Sequence, residues 1–86
     1  MFIVYLIQND FTLEKYIGVT KNLKKRLDEH NQGGKKFTTR KNGRWILIYA
    51  EAYRSESDAI LREKRLKHHA SGKIELIKRL KNSLFA

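Results

Sequence analysis

At 86 residues the chain has room for one modest core, and with no cysteine it has neither a disulfide framework nor a thiolate metal site. Nineteen Lys and Arg against nine Asp and Glu give a formal net charge of +10. That excess points first to phosphate polymers as partners; a solvated basic surface, a ribosomal contact or an anionic lipid is the plainer reading. Residues 1–86 are expected to form one domain, without internal repeats. The apolar start, Met1 to Ile7, is too short to span a bilayer and lacks the basic leader of a signal peptide, so a cytoplasmic location is expected.

Phe2 to Ile7 is a continuous apolar, β-branched-rich run, which predicts a strand buried on both faces. Gln8-Asn9-Asp10 predicts a turn, and Lys15 to Val19 a second strand completing an antiparallel hairpin. Thr20 or Asn22 can cap a helix running to about Asn31, with Leu23 and Leu27 as its apolar stripe. Gly33-Gly34 ends that helix. A polar, cationic connection follows, and Trp45 to Tyr53 predicts a third strand. Ser55 and Asp58 resemble a capping box that opens a helix to about Ala70. Ser71-Gly72 is expected to break the chain before a last helix with Ile74, Ile77, Leu80 and Leu84 on one side. The order β-β-α-β-α-α predicts an α+β fold, a three-stranded sheet covered by helices.

Several polar residues stand where apolar ones belong. Ala59, Leu66 and Ala70 share one helical face, and Glu63 falls within it. A carboxylate there needs a partner: either a neighbouring Arg or Lys at the edge of the stripe, or a metal. Arg26 and His30 are four residues apart and border the stripe of Leu23 and Leu27. His30 alone is more simply a hydrogen-bonded histidine at the core edge, and Arg26 an ordinary surface cation. Tyr5 and Tyr16 are good strand formers whose hydroxyls need partners if buried. Gly18 shares a strand face with Tyr16 and has no side chain to fill the space beside it; a bulge or strand end is the plainer reading. Taken together, two phenols, a guanidinium, an imidazole and a carboxylate are the inventory of electrostatic phosphodiester chemistry.

Ile3-Val4-Tyr5, Tyr16-Ile17-Gly18, then Leu23, Arg26, Leu27 and His30, with Glu63 inside the stretch Ala59 to Lys67, resemble the GIY-YIG nuclease family over nearly the whole chain. The likeness is closest to small stand-alone members related to the nuclease domain of a bacterial excision-repair endonuclease. It implies a three-stranded antiparallel sheet flanked by helices, and hydrolysis of DNA with one divalent cation, Mg²⁺ or Mn²⁺. It implies further that Glu63 binds the metal, that Tyr16 is the general base with Tyr5 orienting water, that Arg26 steadies the phosphate and that His30 shares the proton handling. A tyrosine base needs a lowered pKa, which Arg26 and the basic surroundings favour and burial opposes. The sequence departs from the family at Ile3, where the family name has glycine, and at Val19, where some members carry lysine. An asparagine used by some members in the last helix has only Asn82 as a nearby counterpart. The recognition domain carried by larger members is expected to be lacking.

Lys35, Lys36, Arg40, Lys41 and Arg44 are the expected nucleic-acid contacts, with Phe37 and Trp45 interleaved; burial in the sheet is the plainer role for Trp45. Lys24, Lys25, Lys64, Arg65, Lys67, His68 and His69 extend the positive charge along two helix exteriors. The expected activity is a structure-selective or weakly specific DNA endonuclease acting on branched or single-stranded DNA, with RNA as a further candidate partner. The alternative is a non-catalytic DNA- or RNA-binding module of the same fold, and a third reading is an adaptor for an acidic protein.

Overall fold

A computed structural model describes residues 1–32, 43–68 and 70–85. Three strands, β1 (Phe2–Asn9), β2 (Lys15–Thr20) and β3 (Trp45–Tyr53), form one antiparallel sheet in the order β2-β1-β3. Three helices, α1 (Leu23–Gln32), α2 (Glu56–His68) and α3 (Ala70–Arg79), complete the expected α+β order.

The central strand is buried on both faces, as its unbroken apolar run requires. Val4 and Leu6 point into a core shared with Ile17 of β2, Ala59 and Leu66 of α2, and Leu76 and Leu80 of α3. Tyr5 and Ile7 point to the opposite face and are equally buried. Ile7 pairs with Leu47 while Leu6 pairs with Tyr49, so Ile48 is an extra residue in β3. That bulge lets Ile48 and Tyr49 both pack against the core.

β1 outruns its predicted end, because Gln8 and Asn9 stay in the strand and are buried. Their amides do the work a turn would have done with solvent. Asn9 Oδ1 accepts from the backbone N–H groups of Phe11 (2.8 Å) and Thr12 (2.9 Å). Gln8 Nε2 donates to the carbonyl of Leu13 at 3.1 Å, and its Oε1 accepts from the Phe85 N–H at 2.8 Å. Leu13 itself sits at φ 67°, held by its N–H on the Asn9 carbonyl.

Asn22 caps α1, its Oδ1 accepting from Lys25 N–H at 3.1 Å, while Thr20 Oγ1 accepts from Asn22 N–H at 3.1 Å. Ser55 Oγ accepts from Asp58 N–H at 3.3 Å, so the cap of α2 falls where the sequence predicts. Two expectations fail at the C-terminal end. Ser71-Gly72 lies inside α3 rather than before it, since two poor helix formers near a helix start cost little once the helix packs. Ile74 is 53% exposed, and the buried pair is Leu76 and Leu80. The stripe is therefore rotated from the predicted one, and Leu84 reaches the core from beyond the helix end.

Candidate functional site

The site begins at Tyr5, in the middle of the central strand, with 1% exposure. Its neighbour across β2 is Gly18. A Cβ at position 18 would lie 2.6 Å from the Tyr5 hydroxyl and 3.1 Å from the Tyr16 ring, so only glycine leaves room for both phenols. The rings of Tyr5 and Tyr16 stand 6.2 Å apart. Tyr16 lies on the outer strand and remains 36% exposed, which gives it the access that Tyr5 lacks.

α1 brings Arg26 and His30 to this pair. Arg26 Nε donates to the Tyr5 hydroxyl at 3.4 Å, and His30 Nε2 lies 3.2 Å from the same oxygen. The His30 ring also packs against Tyr16, with centroids 4.8 Å apart. With Arg26 donating to the phenol oxygen, the hydroxyl proton is left to point at His30 Nε2; this assigns the tautomer with the proton on Nδ1. Arg26 donates in addition to Glu29 at 3.1 Å through Nη1.

Glu63 approaches from α2. It sits at the edge of the buried stripe of Ala59 and Leu66, with its side chain 21% exposed, and its Oε2 lies 2.9 Å from Lys67 Nζ. The pairing with a nearby cation is thus present. Glu63 is also close enough to Tyr5 to act on its ionisation. Lys67 Nζ lies in turn 5.7 Å from the centre of the Tyr16 ring, linking the carboxylate to the tyrosines. Lys67 is exposed on the helix exterior, as the sequence pattern places it, and from there its ammonium reaches over the β2 edge at Tyr16.

Burial decides the ionisation of Tyr5. It pushes the phenol above its ordinary value of 10.0, outweighing the hydrogen bond from Arg26. Tyr5 therefore keeps its proton at neutral pH. His30 is held below its usual 6.5 by burial and then by Arg26, so its imidazole is neutral at pH 7. Arg26 is held firmly cationic by its bonds to Tyr5 and Glu29.

Other residues that position the site escape the sequence pattern. Asn31 brackets the start of β3: its Nδ2 donates to the Trp45 carbonyl at 3.0 Å and its Oδ1 accepts from the Trp45 N–H at 2.7 Å. This fixes the end of α1 and sets Trp45 beside His30, centroids 6.1 Å apart. The Trp45 indole nitrogen is buried with no hydrogen-bond partner among the described residues.

On the helix-covered face of β3, Glu51 accepts from Arg62 Nε (2.9 Å) and Nη2 (3.1 Å), from Tyr49 Oη (2.7 Å) and from Tyr53 Oη. Burial alone would raise the Glu51 carboxyl; the bonds from Arg62, Tyr53 and Tyr49 outweigh it and hold it below 4.5. Its own bond to Glu51, and then burial, push the Tyr53 hydroxyl up to about 12. The signal was a period of two, Tyr49-Glu51-Tyr53, within an otherwise apolar strand.

Of the expected nucleic-acid contacts, Lys35, Lys36, Arg40 and Lys41 lie outside the described residues. Arg44 is exposed, and its backbone pairs with Asp10 through two bonds of 2.9 Å. Among the described residues no three His, Asp or Glu gather into a metal-ligating group, and no helix is long and apolar enough to cross a membrane.

Residues 1–82 match the sequence model of the GIY-YIG catalytic domain. The chain belongs to the GIY-YIG family. The GIY-YIG fold is seen as well in the solution NMR structure of the UPF0213 protein BH0048 from Bacillus halodurans. That protein is 28% identical, with a TM-score of 0.56 over 94% of this chain and 86% of its own. No curated protein matches the chain. Membership in the GIY-YIG family makes this a domain of nuclease type, from a group that generally depends on divalent metal and takes nucleic acid as substrate.

Proposed function

We propose that the protein is a metal-dependent DNA endonuclease, structure-selective or weakly sequence-specific. The observation that carries this reading is the contact of one buried phenol, Tyr5, with both Arg26 and His30, beside an exposed Tyr16.

A single carboxylate suits a hard cation that keeps most of its waters and shares a substrate phosphate. Glu63 fits that description: a mostly sheltered oxygen donor that already holds a cationic group, Lys67. Glu63 would hold the metal, which when bound polarises a phosphoryl or leaving-group oxygen. Arg26 spends Nε on Tyr5 and Nη1 on Glu29 and bonds to Tyr16 as well; with five N–H donors it still has capacity to offer a phosphate. Tyr16, the more open phenol, would give up its own hydroxyl proton toward His30 while taking the proton of an attacking water, as the new P–O bond forms and the old one breaks. The products are a phosphate monoester and an alcohol. Tyr5, kept protonated by burial, orients rather than accepts. The neutral His30 can receive a proton from the tyrosine pair and return it to the leaving oxygen.

Branched, nicked and single-stranded DNA incubated with the protein and Mg²⁺ or Mn²⁺ provides the test. Cleavage should appear and be lost in Tyr16→Phe and Glu63→Ala. Cleavage that survives both substitutions overturns the assigned roles. Salt-dependent binding without cleavage in either metal leaves a binding module of the same fold.

A further inference from the structure

Lys67 is a cation of α2 that touches the site and that the proposed chemistry leaves without a task. Its ammonium lies between two groups of the site, 2.9 Å from Glu63 Oε2 and 5.7 Å from the centre of the Tyr16 ring. Lys64, Arg65 and His68 are exposed on the same helix, as is Lys67 itself; of these four it is Lys67 that meets Glu63 and Tyr16. A Glu–Lys pair one turn apart on an open helix is a weak contact. This one is partly sheltered, with side-chain exposures of 21% and 38%, and it uses an oxygen that a metal would need.

We infer that Lys67 is a placeholder cation, which neutralises Glu63 in the free protein and is handed to a substrate phosphate when the metal takes the carboxylate. The inference rests on the reading of Glu63 as the metal ligand. Its physical basis is competition. One carboxylate cannot serve an ammonium and a divalent ion at full strength, and the two cations repel each other at short range. Lysine has a flexible four-carbon stem and a compact charge, so it can leave one anion for another nearby. A phosphate held by Arg26 beside Tyr16 would be such an anion. Phosphate that draws Lys67 away frees Glu63 for metal, and metal that displaces Lys67 frees it for phosphate. Linkage then makes the two ligands bind cooperatively and by the same factor in each direction.

Mn²⁺ titration of the whole chain, read by electron paramagnetic resonance, tests this without reference to cleavage. The variants are Lys67→Met, Lys67→Arg and Glu63→Gln, each checked for an unchanged circular-dichroism melt. Lys67→Met should bind Mn²⁺ tighter by on the order of tenfold, Lys67→Arg should stay near the parent, and Glu63→Gln should lose the site. In a Tyr16→Phe background, which keeps the ring that Lys67 lies over, a nicked duplex should raise Mn²⁺ affinity. That rise should vanish when Lys67→Met is added. Mn²⁺ binding that depends on Glu63 but is unmoved by Lys67→Met, or DNA coupling that persists without Lys67, overturns the inference and leaves the nuclease reading standing. Binding indifferent to Glu63→Gln overturns both.

Discussion

At the scale of single residues, the space at Gly18 matters most. Its backbone needs no unusual torsion; what it supplies is the missing Cβ that would otherwise lie 2.6 Å from the Tyr5 hydroxyl. Gly18→Ala must displace a buried phenol, so it should cost about 1–3 kcal/mol in a denaturant melt. It should also depress cleavage more than its stability loss explains. His30 supplies a second residue-scale expectation. Its folded pKa lies below the ordinary 6.5 of the unfolded chain. The unfolded state therefore binds more protons in that window, and stability rises with pH there. The contribution is whole above about pH 6.5 and is lost as the pH falls toward the lowered folded value. Thermal melts between pH 7.5 and 5 should show this acid-side loss, and His30→Gln should flatten it. Spacing only allowed these side chains to converge, and the family resemblance singled them out; the ionisation of Tyr5 was not legible, because burial and Arg26 pull in opposite directions and only packing sets the balance.

At the scale of elements, the fastening of α2 to β3 deserves as much weight as the site itself. Arg62 grips Glu51 with two bonds. Successive helical residues are turned by about 100°, so anchoring Arg62 toward β3 leaves Glu63 facing the β2 side. Glu51→Gln keeps the shape but removes the charge, leaving a half-sheltered guanidinium and two tyrosine hydroxyls poorly matched. We expect a loss of about 1–3 kcal/mol by urea titration, together with weakened metal binding if the helix turns. The depressed Glu51 carboxyl also stabilises the fold above pH 4.5, and that contribution fades as the pH drops through its lower folded value. Strand and helix order was readable because the apolar runs are continuous and a capping residue stands before each of the first two helices. The buttress was not, since nothing local ties Glu51 to a residue eleven positions later. The stripe of α3 was misjudged for a related reason: Ile74 and Leu76 are equally apolar, and only the docking angle decides that Leu76 is buried while Ile74 faces water.

For the molecule as a whole, the net charge of +10 sets the terms of any encounter with DNA. Affinity should fall steeply with added salt, and a complex neutralising about six phosphates would weaken on the order of a thousandfold between roughly 50 and 200 mM. Fluorescence anisotropy of a labelled duplex across that range measures the slope. A flat response would mean that the charge is not engaged. The two pairs of hydrogen bonds that join Asn31 to Trp45 and Asp10 to Arg44 carry a separate implication. One pair ties the end of the first helix to the first residue of the last strand; the other ties the turn after the first strand to the residue just before it. The entry of β3 is thus pinned from two directions, and the register of the sheet is held at the end where His30 meets Trp45.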